Sequence, residues 1–250
     1  MLCSEPDARS AGSPSRWKEI PILKRIILLR RRPGLTRAEM LHYWQHTHAP
    51  LAMQYPEWFE STQRYTQNHL GGQLAGAPFD FDGMVESWQR PAGAVGRSFP
   101  DTEAYRTVVG PDERMFVDRA SSLLFFVNEQ VLAPRVAPAK VLTFVARSPG
   151  IAADDFASRW LQKGDVCAGG HVRNLVVPGS MRVIGAPDAP LPFTIDGIEE
   201  RRYGSEGEAA KAIAAEHGRQ ARGAGPAQAL ATIIAREVTL YDRDLAARQQ

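Results

Sequence analysis

The chain states the same pattern twice. RRPGLTRAEMLHYWQ (Arg31–Gln45) returns as RSPGIAADDFASRWLQ (Arg147–Gln162), and FDGMVES (Phe81–Ser87) returns as IDGIEER (Ile195–Arg201). The echoes keep their order and lie about 115 residues apart. Repetition at that length implies two copies of a whole α+β unit, not a solenoid of short repeats. The copies are unequal. The first carries His42, His46, His48 and His69, a cluster that the second does not keep.

The order of elements follows from periodicity. ILKRIILLR (Ile22–Arg30) has apolar residues at both parities, the pattern of a strand covered on both faces. Pro33-Gly34 ends it, and Thr36 with Glu39 makes a capping box for a helix running to about His48 and stopping near Pro50. Phe59–Leu70 and Phe81–Gln89 read as strands around a glycine-rich loop, Gly71–Pro78. A helical region over Asp101–Ala120, interrupted at Gly110-Pro111, leads to the strand Ser122–Leu132. The second half repeats the order after the linker Ala133–Ala139, with strands at Lys140–Arg147, His171–Val177, Phe193–Tyr203 and Ala229–Asp242. Helices at Ala152–Gly164 and from Ser205 to near Gly218 fall between them.

Each half is therefore expected to be a ferredoxin-like βαββαβ unit. The fold class is α+β, with two such units closing an intrachain dimeric α+β barrel, since each sheet leaves one apolar face to cover. Residues 1–18 read as a disordered leader, 19–133 as the first unit and 138–243 as the second, diverged unit. The last eight residues are expected to fray.

Composition narrows the partners. The formal net charge of +2 implies neither a nucleic-acid nor a membrane partner. No apolar stretch has the length of a membrane span, and the first 16 residues lack the apolar core of a secretory signal. Two cysteines, one in the leader, fit a reducing compartment, so the cytoplasm is expected. Neither a P-loop nor a GxGxxG pattern occurs, so no nucleotide cofactor is expected. No GxSxG elbow supports a serine hydrolase. His42 and His46 share a helix face near Glu39, a spacing open to a metal, but they lie off the apolar stripe and read as a solvent-exposed pair. No metal site and no cofactor are assigned.

LTRAEMLHYWQHTHAP (Leu35–Pro50), with its Pro-Gly turn, Tyr43-Trp44 pair and His48-Ala49-Pro50 ending, resembles the EthD family of the dimeric α+β barrel superfamily. RYTQNH (Arg64–His69), FDGMVESW (Phe81–Trp88) and DERMFVD (Asp112–Asp118) extend the resemblance over most of residues 22–132. The second half resembles the family more faintly, through Pro149-Gly150, Trp160, Asn174 and Asp196-Gly197; Gly164 stands where the first half has His48. The resemblance implies a small-molecule pocket between helices and sheet. Activities in and near the family include a role in ether degradation and the dehydration or decarboxylation of aromatic, polyketide-like compounds. The wider superfamily includes cofactor-independent monooxygenases, lactone isomerases and haem enzymes.

His48, Tyr65 and His69 are the candidate catalytic residues. His48 shares a helix face with Met40 and Trp44, where an imidazole can serve as general acid or base. Its bland reading is a helix-end histidine bonded to a local carbonyl. Tyr65 and His69 share strand parity and are expected to project into one cavity. Trp44, Asn68, Asp82, Met84, Glu86 and Trp88 are the candidate substrate-binding residues. Asn68, Asp82 and Glu86 recur as Asn174, Asp196 and Glu200, which favours structural roles, with Gly83 permitting a bulge. Trp44 recurs as Trp160, so plain core packing is its alternative.

The leading expectation is a cofactor-independent enzyme acting on an apolar, aromatic or polyketide-like small molecule by histidine acid/base chemistry: dehydration, decarboxylation, cyclisation or isomerisation. An oxidoreductase, specifically a monooxygenase, and a non-catalytic small-molecule-binding protein are the alternatives. The two-unit chain is open to being a monomer or a homodimer.

Overall fold

A computed structural model describes residues 23–76, 79–90, 98–162, 166–220 and 226–247. The leader and Gly164 lie outside them. Eight antiparallel strands close a barrel. In chain order they are β1 (Leu23–Leu29), β2 (Thr62–Gly76), β3 (Gly83–Gln89), β4 (Leu123–Ala133), β5 (Ala139–Arg147), β6 (His171–Val176), β8 (Gly197–Tyr203) and β9 (Ala227–Asp242). The short β7 (Arg182–Val183) adds to the start of β4. The first half contributes the order β4-β1-β3-β2 and the second β9-β5-β8-β6. Pairing of β2 with β9 and of β4 with β6 joins them.

Period-two alternation sorts the side chains. Ile26, Leu28, Met84, Phe125, Phe144 and Ile198 fill the barrel interior. Ile27, Leu29 and Val85 face outward, under helices that cover the first half: α1 (Arg37–Tyr43), α2 (Ala49–Ala52), α3 (Pro56–Ser61) and α4 (Gly110–Glu113). In the second half α5 (Ala153–Trp160) and α6 (Glu206–Gln220) do the same.

One end of the barrel interior holds a network of ion pairs. The Lys24 ammonium lies 2.7 Å from both Glu86 and Glu129 and donates to Asn174 at 2.9 Å. Lys140 lies 2.5 Å from Glu86, 2.7 Å from Glu237 and 3.3 Å from Glu200. Arg135 and Arg202 complete the balance by pairing with Glu200 and with Glu129 and Glu237. Burial works against the charge on Glu86, yet Lys140 and Lys24 hold its carboxyl well below the ordinary range.

Several local expectations are corrected. Phe59–Ser61 belong to α3, which Pro56 starts from the first helical position. The glycine-rich segment continues β2 as far as Gly76 instead of forming a loop. A Cβ at Gly71 would lie 2.9 Å from the Ile234 carbonyl oxygen, so glycine lets β9 approach there. Gly83 opens no bulge: it keeps regular register with Leu29, and a Cβ there would lie 2.5 Å from the Trp44 ring. Gly197 makes the same room for Trp160, at 2.6 Å. The helix does not stop at Pro50. A wide π turn, Trp44–His48, sends the Ala49 N–H to the Trp44 carbonyl five residues back, and α2 carries on through the proline. A second π turn, Tyr105–Val109, does the same before Pro111. The expected helix over Asp101–Ala120 is thereby shortened to a continuous helical stretch over 103–113, which contains that turn and ends in α4. The chain end does not simply fray, since Arg243–Ala247 form a last helix, α7. Among the described residues, no helix is long and apolar enough to cross a membrane.

Candidate active site

A cavity of about 550 Å³ lies between the outer face of the first half's sheet and its helices. That is the size of a small-molecule site. Its walls are mostly apolar, including Ile27, Leu29, Trp58, Val85, Phe99 and Phe116. Polar groups enter from β1 (Arg25), β2 (Tyr65), the first π turn (His48), the second (Tyr105) and α4 (Glu113).

His48 is buried, with its ring 4.9 Å from that of Phe116. Its Nδ1 lies 2.7 Å from Asp112 Oδ2, and Tyr43 donates to Asp112 Oδ1 at 2.5 Å. These two bonds, that from His48 first, hold the Asp112 carboxyl below its ordinary range, while the Tyr43 phenol is pushed up to about 12. A carboxylate can only accept, so Nδ1 carries the proton and Nε2 is left as the basic nitrogen. Nε2 makes no hydrogen bond to any described residue, and the ring lines the cavity. This arrangement can take a proton from a bound molecule and return it, with Asp112 stabilising the imidazolium between the two events.

Tyr65 lines the same cavity. Trp44 Nε1 donates to its hydroxyl oxygen at 3.2 Å, which leaves the phenolic hydrogen free. Burial pushes this phenol above its ordinary range, so it stays a donor. Tyr105, pushed up to about 12 by burial and Glu113, donates to Glu113 at 2.9 Å, and Arg119 pairs with the same carboxylate at 3.0 Å.

His69 shares the parity of Tyr65 but not its cavity. It packs behind Trp44, with the rings 5.5 Å apart. Arg236 donates to its Nδ1 at 2.6 Å, and its Nε2 donates to Gln67 at 3.2 Å, which fixes a neutral imidazole. Burial first, then Arg236, Arg37 and His46, lower its pKa to about 4. Trp44 thus separates two of the expected catalytic residues.

The β3 candidates point the other way, into the barrel. Met84 is part of the interior core and Glu86 of the ion network. Trp88 donates to Glu129 at 3.2 Å, with Lys24 over its ring. Asn68 donates to Glu86 at 2.9 Å. Asp82 accepts from the Arg31 amide at 2.9 Å, and Asp196 accepts from Arg147 in the same way at 2.8 Å. Of the six candidate binding residues, only Trp44 lines the cavity. The exposed pair His42 and His46 lies with its rings 4.7 Å apart.

Arg25, Asp112, Tyr105 and Glu113 are cavity or supporting residues that the sequence reading did not single out. For Arg25 a signal existed: a charge in mid-strand, where both faces are covered, must be paired or used. Asp112 opens a segment that carried the resemblance, but nothing in its spacing points to a histidine 64 residues earlier.

The second half treats the matching space differently. By strand register His171 stands at the place of Tyr65, Arg173 at that of Gln67 and Glu199 at that of Val85. His171, Arg173 and Arg201 all reach the Glu199 carboxylate, at 2.8, 3.0 and 3.2 Å. An ion cluster thus lies where the first half has open volume.

A closed α+β barrel with a polar-studded apolar cavity under one set of helices defines a fold class. Residues 32–120, within the first half of the chain, match the model of the EthD domain. No curated protein matches the chain. Two solved structures are similar at 12% identity. An anthrone oxidase-like protein aligns with 90% of this chain and 96% of its own, at a TM-score of 0.46. A provisionally named monooxygenase from Lactobacillus acidophilus NCFM aligns with 88% of this chain and 99% of its own, at a TM-score of 0.44.

Proposed function

We propose that the first-half cavity binds an aromatic or polyketide-like small molecule and that His48, oriented by Asp112, moves a proton on it. The observation that carries this reading is the 2.7 Å contact between His48 Nδ1 and Asp112 at the wall of an apolar chamber. Nε2 takes a proton from an acidic C–H, the electron pair passes to the adjoining carbonyl oxygen, and Tyr65 donates to that oxygen. Return of the proton at another atom completes an isomerisation; loss of a β-hydroxyl as water completes a dehydration. Cyclisation uses the same enolate as its carbon nucleophile; decarboxylation of a β-keto acid reaches an enolate by loss of CO2 instead, with Tyr65 donating to its oxygen and the His48 imidazolium giving the proton to carbon. Low polarity around these groups strengthens each contact relative to water. The architecture supports a tandem pair of ferredoxin-like βαββαβ units, over 19–133 and 138–243, of which the second has lost its site.

Mass spectrometry of small molecules co-purified with the chain supplies the substrate, and anaerobic turnover of that compound tests the chemistry. His48→Gln abolishes turnover on this account, whereas undiminished turnover by that variant rejects it. Strict dependence on oxygen would move the assignment to a monooxygenase.

A further inference from the structure

Lys24 and Arg25 are neighbours on β1 and point to opposite faces of the sheet. Lys24 meets two carboxylates and an amide inside the barrel. Arg25 faces the cavity, and its Nε finds no hydrogen-bond partner. Glu113 acts on it through space, but that carboxylate is already engaged by Arg119 and Tyr105. Burial lowers the Arg25 pKa, and the like charge of Arg182 adds to the effect. Four arginines line the cavity, Arg25, Arg90, Arg119 and Arg182, against two acidic residues, Asp101 and Glu113. The chamber therefore carries surplus positive charge.

The second half shows that this is not a habit of the fold. By register Lys140 stands at the place of Lys24 and keeps its carboxylates, while Val141 stands at the place of Arg25 and packs against Ala209 and Ile213. The interior cation is present in both halves. At the first-strand position the outward cation is present only beside the open cavity, and the second half's outward arginines, Arg173 and Arg201, both pair with Glu199. A half-buried cation with no hydrogen-bond partner of its own costs stability unless something pairs with it, and a guanidinium presents a fork of donors suited to a carboxylate or other oxyanion.

We propose that the cavity selects ligands bearing a negative or readily ionised oxygen, an aromatic carboxylate, phenolate or enolate, and that the Arg25 guanidinium receives that oxygen. This rests on reading the cavity as the ligand site, and it adds a charge requirement to the aromatic class assigned there. Arg25 serves here as a binding residue and moves no proton.

The test is calorimetric binding of a matched probe pair, 2-naphthoate and neutral 2-naphthamide, to the full chain. Wild-type protein is expected to bind the carboxylate about tenfold tighter or more. Arg25→Met keeps the stem and removes the charge. It should weaken 2-naphthoate by about tenfold or more, leave 2-naphthamide within about twofold, and melt at a higher temperature. Arg25→Gln gives a second variant with the same expected loss of preference, should the methionine variant fold poorly. Equal binding of both probes by wild type, or an undiminished preference in either variant, overturns the proposal and leaves the proton-transfer reading standing. Binding of neither probe overturns both.

Discussion

His48 can serve as a base only in one tautomer, and the 2.7 Å bond to Asp112 selects it. Asp112→Asn offers an amide that can donate to Nδ1 as well as accept, which frees the ring to place its proton on the cavity side. Proton-transfer rates should fall about a hundredfold or more, with ligand affinity nearly unchanged, as steady-state kinetics and calorimetry would show together. Nitrogen-15 NMR of the imidazole should report the Nδ1–H tautomer in wild type and a mixture in the variant. At this scale the sequence was only partly legible. His48 and Tyr65 stood out by residue type and parity. His69 stood out equally, yet Trp44 interposes its ring. Parity gives a face of a sheet, not the bulk lying on it.

Two features of the elements follow from single residues. Each π turn lies just before an X-Pro pair, Ala49-Pro50 or Gly110-Pro111. Proline has no N–H to give to the fourth residue back, and a wider turn absorbs the loss without ending the helix. The expectation of a stop at Pro50 followed from propensity alone; the tertiary wall of the cavity holds the helix past it. The second feature is the glycine under each tryptophan. Gly83→Ala must push Trp44 aside and should destabilise by about 2 kcal/mol, read as a lower midpoint in urea unfolding with an unchanged slope. Gly197→Ala should act alike beneath Trp160. β2 was misjudged at both ends for related reasons. Its glycine-rich stretch runs along β9, a partner far along the chain, pairing at Gln73, Ala75 and Gly76 across an irregularity at Gly71-Gly72, and its expected first residues are captured by a helix that Pro56 begins.

At the scale of the whole molecule, the repeated pattern was the legible signal, since four strands in each half imply the eight-stranded closure that the pairings form. The interior ion network was not legible: the recurrence of Glu86 as Glu200 favoured a structural role without giving either a partner, and Lys24 and Lys140 carried no signal of their own. Lys140→Met strands Glu86, Glu200 and Glu237 with fewer cations and should cost about 3–5 kcal/mol. Acid should unfold the barrel in two stages. His69 has a folded pKa of about 4 against an ordinary 6.5, so its contribution is complete above 6.5 and is lost as pH falls toward 4. Glu200 is held at about 2 by Lys140 and Arg135 despite its burial, so its contribution is complete above about 4.5 and is lost as pH falls toward 2. Chemical denaturation at stepped pH would trace both stages, and His69→Gln should flatten the first.

The most direct measurement is deuterium exchange from solvent into a panel of enolisable aromatic ketones, 1-tetralone and 2-tetralone among them, followed by mass spectrometry under anaerobic conditions. Wild-type chain should accelerate exchange at the acidic carbon, Asp112→Asn should retain a small fraction of that rate, and His48→Gln should show none above solvent. Exchange by His48→Gln at the wild-type rate, or no acceleration by the wild-type chain on any ketone, would contradict a cavity in which an aspartate-held imidazole moves the proton.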